Sequence, residues 1–203
     1  MSVLGSHAAE LTDALSRLAE IEDSVESAAD AIAASFIRGG KLLAAGNGGS
    51  AAEAQHLTGE LVGRLHPDRE RGPLPAVALH ADTSSMTALA NDYGYERVFA
   101  RQVEAIGQEG DVLVVLSTSG SSPNLVAAVE IAAERGLVIV GLLGGTARRL
   151  HEMCDHVLAV PSTSLQAVQE CHLVLVHVLV EMVEKRLGGL GGHGTPQADR
   201  APQ

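Results

Sequence analysis

The stretch AAEAQHLTGELV (residues 51–62) sets a histidine and a glutamate four residues apart, His56 and Glu60. On an α-helix that spacing puts both side chains on one face. An imidazole beside a carboxylate can move a proton near neutral pH or bind a divalent cation. Alone, such a pair is most often a surface contact, and the two-histidine H-E-x-x-H pattern of zinc proteases is absent here. A metal centre needs donors from elsewhere. SLQAVQECHLVLVH (residues 164–177) offers Gln169 and His177, which lie about 80° apart round a helix. His172 is about 140° from His177 on the same helix, so it is read as making a structural hydrogen bond. His7, His66, His80, His151, His156 and His193 have no partner at ligand spacing and are read as solvent-facing or structural.

Two loops can bind an anion. GNGGSA (46–51) and STSGSS (117–122) each follow an apolar run and open a helical segment. Exposed backbone N–H groups and hydroxyls at a helix N-terminus suit a phosphate monoester. Neither loop is a P-loop or a complete dinucleotide fingerprint. One Ser/Gly turn would be read as helix capping. Two at matching strand-to-helix junctions point to an anion or sugar-phosphate site. Ser117, Thr118, Ser119 and Ser122 form the phosphate set, and Asn47, Gly48 and Ser50 touch the rest of the ligand.

The elements that carry these loops alternate. KLLAAG, AVALH, DVLVVLS, LVIVGLLGG and HVLAVP read as strands, and helical segments lie between them. The order predicts an α/β fold, a three-layer doubly wound parallel sheet with long N- and C-terminal helices. Ligands in such folds bind beyond the carboxyl ends of the strands. Before the first strand, Leu4, Leu11, Leu18, Val25 and Ile32 recur every seven residues, interrupted in the intervening seam by Glu22. This predicts one long amphipathic helix, or two collinear ones, over about residues 3–38, suited to a bundle between subunits. Residues 1–187 form a single domain, and the Gly-rich tail 188–203 is expected to be disordered.

The 203-residue chain is 46% apolar and 2% aromatic, with a net charge of −11. The charge argues against nucleic acid and anionic membrane surfaces as partners. It leaves phosphorylated small molecules open, because backbone N–H groups can supply the attraction. Cys154 and Cys171 do not make a disulfide framework and are read as buried thiols. No signal peptide is visible, and no apolar run approaches the roughly 20 residues of a membrane span. The expected location is the cytoplasm.

The segments GNGGSAAEAQH…E, ANDYGYERVFARQVEA, GDVLVVLSTSGSSPNLVAA and VQECHLVLVH resemble, in order and spacing, the sugar isomerase (SIS) fold and within it the phosphoheptose isomerase family. The resemblance runs from the N-terminal helix to about Arg186. It implies a homotetramer with active sites at subunit interfaces and one zinc ion per subunit. The implied metal ligands are His56, Glu60, Gln169 and His177. The implied phosphate contacts are Ser117, Thr118, Ser119 and Ser122. Asn47, Gly48, Ser50, Arg64 and Asp92 match positions lining the sugar site. The implied reaction is ketose–aldose isomerisation of sedoheptulose 7-phosphate through an enediol(ate), with Glu60 and His177 as the acid/base pair. The chain departs from the family at Ser164, Leu165, Gln166 and Ala167, where relatives often carry Asp or Thr and then Arg. Alternatives are another phosphorylated ketose, a non-catalytic tetramer binding the bacterial replication initiator, and the sugar-sensing domain of a regulator.

Overall fold

Three apolar runs, LLAAG, VLVVLS and VIVGLLG, are buried along their whole length apart from a half-buried first valine in the last. A strand can be apolar on both sides only where both faces of its sheet are covered. In the computed structural model, which describes residues 2–146 and 148–188, these runs are the centre of one parallel sheet. They are β1 (Leu42–Gly46), β3 (Val112–Ser117) and β4 (Val138–Gly144), with β2 (Ala76–Ala78) and β5 (His156–Val160) at the edges. The order is β2-β1-β3-β4-β5. The expected parallel α/β sheet is therefore observed. The tail expected to be disordered lies outside the described residues, apart from Gly188.

Alternate strand residues divide between two cores. Leu42, Ala44, Val112, Val114, Leu116, Val140 and Leu142 face a layer built from α2 (Glu22–Ile37), α3 (Gly49–Val62) and α8 (Leu165–Leu187). Leu43, Ala45, Leu113, Val115, Ile139 and Leu143 face α5 (Val98–Ile106) and α6 (Pro123–Glu134). The chain winds outward in one direction from β1 to β2 and in the other from β3 to β5. The crevice beyond the carboxyl ends of adjacent β1 and β3 is the switch point of such a sheet, where ligands bind. Register pairs Gly46 of β1 with Leu116 of β3, so the two Ser/Gly loops leave the sheet side by side.

The N-terminal segment is two helices. α1 (Val3–Ser16) ends at Arg17, a 3-10 turn spans Leu18–Ile21, and α2 follows. The turn falls just before Glu22, the residue that interrupts the apolar seam. It rephases the chain so that Val25, Ala28, Ala29, Ile32 and Ala33 of α2 are buried. In α1 only Ala14 is buried, and Leu4 is 79% exposed. The expectation that no apolar segment is long enough to span a bilayer is corrected by α8. Its 23 residues reach a mean hydropathy of 1.2, but half of that window is buried inside the chain. Val168, Cys171, Leu175, Leu179 and Val183 form its core-facing stripe. α4 (Thr83–Tyr93), capped by Asp82, the short α7 (Arg148–His151) and a 3-10 turn over Tyr95–Arg97 complete the described helices.

Candidate active site

α3 begins where Gly48 turns the chain at φ 57°, a backbone state that glycine enters without a Cβ clash. The helix buries Ala54, Leu57 and Leu61. That rotation leaves His56 and Glu60 on the flank that meets α8, opposite His177. His56 Nε2 lies 3.0 Å from His177 Nε2 and 3.3 Å from Glu60 Oε1. The two rings meet edge to face, with centroids 5.0 Å apart. One donor atom from each of the three residues lies within 4.8 Å of the other two. Tetrahedral zinc with bonds of about 2.0–2.1 Å separates neighbouring ligand atoms by about 3.3–3.4 Å. The His–Glu separation matches that edge, and the His–His separation needs only a few tenths of an ångström of opening. The donor set of two imidazoles and a carboxylate also suits zinc, so these residues fit the ion.

At the N-terminal end of α3, a pocket of about 110 Å³ is lined by Asn47, Ser50, Leu116, Ser117, Thr118, Ser119, Ser122 and Gln169. Ser122 is the N-cap residue of α6, makes no side-chain cap bond, and precedes a proline at the first helical position. Its hydroxyl is thus available to a ligand at the positive end of the helix. Ser117 Oγ accepts a bond from Gly120 N–H at 3.0 Å, which folds the loop and leaves the hydroxyl proton to donate. Asn47 and Asn124 exchange two amide bonds of 3.0 and 2.9 Å, and Tyr95 OH donates to Asn47 Oδ1 at 3.1 Å. This reciprocal pair ties the loop after β1 to the start of α6. A larger cleft of about 850 Å³ lies between α1 and the ends of β4 and β5. Its lining holds Glu10, Asp13 and Glu20 against one Arg17, the wrong charge for a phosphorylated ligand.

The residues singled out in the sequence fall into two groups: His56, Glu60 and His177 in the cluster, and Asn47, Ser50, Ser117, Thr118, Ser119, Ser122 and Gln169 around the pocket. Gln169 lines the pocket, with its amide packed against Gly49. Gly48 provides the turn into α3. Arg64, beyond the end of α3, pairs with Glu70, and Asp92 in α4 accepts a bond from Asn91 at 2.8 Å. Neither lines the pocket within the single chain. His172 corrects an expectation: it is fully buried, and neither ring nitrogen has a hydrogen-bond partner. Glu53 Oε2, on α3, lies 3.8 Å from its Nδ1. His7 pairs with Glu170 at 2.8 Å, and His156 Nδ1 lies 3.0 Å from Ser27 Oγ. His193 lies outside the described residues. Of the two thiols expected to be buried, Cys171 is, whereas Cys154 is half-buried, with its pKa pushed up to about 12 by desolvation. Asn124 and Tyr95 were not singled out. Asn124 follows Pro123 at a helix start, a position that could have marked it, whereas Tyr95 carries no sequence signal.

The profile of the SIS domain matches residues 6–144. A phosphoheptose isomerase of Burkholderia pseudomallei (strain K96243) is 52% identical over 166 residues, covering 82% of this chain and 83% of that one. The solved structure of a phosphoheptose isomerase from Francisella tularensis superposes with a TM-score of 0.86 at 37% identity, covering 91% of this chain and 100% of that chain. That of Neisseria gonorrhoeae phosphoheptose isomerase gives 0.84 at 38%, covering 90% and 97%. Enzymes at this level of identity set aside the non-catalytic assembly factor and the regulator's sensing domain. The chain belongs to the phosphoheptose isomerase family of SIS-domain enzymes.

Proposed function

We propose that the enzyme interconverts sedoheptulose 7-phosphate and D-glycero-D-manno-heptose 7-phosphate through an enediol(ate). The observation that carries this reading is the convergence of His56, Glu60 and His177 on α3 and α8, the two helices whose N-terminal turns line the Ser/Thr pocket. Ser117, Thr118, Ser119 and Ser122 hold the phosphate, with the N-terminus of α6 behind it. Asn47, Gly48 and Ser50 contact the sugar, so the chain is fixed at one end and its C1–C2 unit is delivered to the cluster. Glu60 takes the proton from C1 as the C1–C2 double bond forms. His177 transfers protons at the two oxygens. Return of a proton to C2, with loss of the C1 hydroxyl proton, yields the aldehyde. Two groups on either side of the reacting carbons meet the demand of this chemistry.

One zinc ion per subunit would be held by His56, Glu60, Gln169 and His177 and would supply Lewis-acid polarisation of the carbonyl. Arg64 and Asp92 would complete the sugar site across a subunit boundary in a homotetramer. The apolar positions Val3 and Leu4 of α1, 90% and 79% exposed, and the partly exposed Leu15 support such an assembly.

The test is direct. Purified protein incubated with sedoheptulose 7-phosphate should form the aldoheptose phosphate, and a chelator should slow it. Glu60→Gln should still bind substrate while turnover falls about 10²–10⁴-fold, the range for removing a general base. Full turnover by Glu60→Gln would refute the base assignment, and binding without any aldose formation by the native protein would refute the substrate.

A further inference from the structure

The loop between α3 and β2, residues 64–75, carries a guanidinium that holds both helices of the cluster. Arg71 Nη2 donates to the backbone carbonyl of Glu60 at 2.7 Å, and Nη1 donates to the carbonyls of Leu61 at 2.8 Å and Gly72 at 3.0 Å. Its Nε donates to Glu184 Oε1 of α8 at 2.7 Å, and Leu65 N–H donates to the same oxygen at 3.3 Å. The last carbonyls of a helix have no intrahelical partner, and a cation placed there also meets the negative end of the dipole. Arg71 therefore caps α3.

The second anchor makes it more than a cap. Glu184 follows His177 by seven residues, which returns it to within about 20° of the same helical face and about 10 Å further along. One side chain thus grips the backbone of Glu60 and the seam of α8 that bears His177. The side chains of Arg71 and Glu184 are 15% and 11% exposed, so the pair is shielded from water and counterions. Only arginine has a planar fork that can serve a carboxylate and two carbonyls in different directions; lysine offers a point charge.

We infer that Arg71 and Glu184 are positioning residues, a brace that sets the spacing between His56 and Glu60 on α3 and His177 on α8. The inference rests on the catalytic and metal reading of that cluster. Without the brace, the C-terminal end of α3 loses its polar tie to α8, and the His56–His177 separation of 3.0 Å leaves little tolerance. A misplacement of about 1 Å can cost about 10²-fold in rate, and loss of an outer support typically costs about 10–100-fold in metal affinity. The loop after β1 lies at the other end of α3, and the loop after β3 opens α6, so neither phosphate loop touches the brace.

The experiment compares the native enzyme with Arg71→Lys and Glu184→Gln. Co²⁺ binding is followed by its visible absorbance, kcat and KM are measured with sedoheptulose 7-phosphate, and inorganic phosphate is titrated as a competitor. Each variant should bind Co²⁺ about tenfold or more weakly and lose about tenfold or more in kcat. KM and phosphate affinity should stay within about threefold, and the double variant should be no worse than the poorer single one. Unchanged Co²⁺ affinity and kcat in a folded variant would overturn the inference. So would phosphate affinity falling in step with Co²⁺ affinity, the mark of general loosening. Should Arg71→Lys fail to fold, the nearly isosteric Glu184→Gln decides. A native enzyme that binds no Co²⁺ would sink the metal reading alone, and the division between kcat and KM would still judge the brace.

Discussion

Gly49→Ala separates the geometry of the site from the stability of the fold. Gly49 is the first residue of α3 and does not need a positive φ, so its backbone accepts a side chain. A Cβ there would stand 2.6 Å from Gln169 Nε2, 2.8 Å from Oε1 and 2.9 Å from Cδ. Comfortable contact is about 3.5–4.0 Å, so the Gln169 amide must retreat by about 1 Å. It is the free end of a flexible side chain and can do so. Leaving a preferred rotamer costs about 0.5–1.5 kcal/mol, and exchanging glycine for alanine returns about 0.4–1 kcal/mol by narrowing the unfolded ensemble. Urea unfolding should therefore place the variant within about 1 kcal/mol of the native protein. Activity should behave differently, since a 1 Å displacement of a positioning group costs about 10²-fold in kcat/KM. Gly46→Ala is the control. Its Cβ would lie 2.4 Å from the backbone oxygen of Ser50, which cannot swing away, and overpacking of this kind costs about 1–3 kcal/mol or more. Full kcat/KM in Gly49→Ala, or a loss of stability matching that of Gly46→Ala, would refute the reasoning.

Asn124→Ala removes both amide bonds to Asn47 from a residue that is 3% exposed. At about 1 kcal/mol each, unfolding stability should drop by about 2 kcal/mol and KM should rise as the two loops lose their tie; an unchanged KM would show that the tie does not set the pocket. The His7 pKa is held above its ordinary 6.5 by the hydrogen bond that its ring donates to Glu170, then by that carboxylate's charge, with Glu10 adding to it. Since the folded state binds the proton more tightly, the support this pair gives to the α1–α8 contact is fully present below pH 6.5 and fades as pH rises through the raised value. Amide exchange in α1, corrected for intrinsic rates, should accelerate above pH 6.5 in the native protein and lose that dependence in His7→Gln. Equal pH dependence in the two proteins would exclude the mechanism.

Four of the five strands were legible because each is a short apolar run ended by Gly, Ser or Pro, and in the three central ones burial on two faces erases alternation. The anion loops were legible because Ser and Gly clusters recur at matching strand ends. The His56–Glu60 pair was legible because an i, i+4 spacing is local. The break after α1 was not, since a seven-residue repeat continues through Leu18 and only packing on α8 selects the rephased turn. The environment of His172 was equally hidden, because the absence of a partner depends on what α3 brings against it.

What the sequence by itself determined is therefore local. It comprises strand and helix identity, the loops that can hold an anion, and a candidate set of four side chains on two helices. Only the tertiary structure decided that His56 meets His177 across 121 residues at 3.0 Å. It alone paired Asn47 with Asn124 and carried Arg71 from a loop to both helices. Periodicity reports which face of an element is apolar, whereas these meetings depend on strand order and on how far α3 slides along α8, and both are set by the summed packing of a core no short stretch contains.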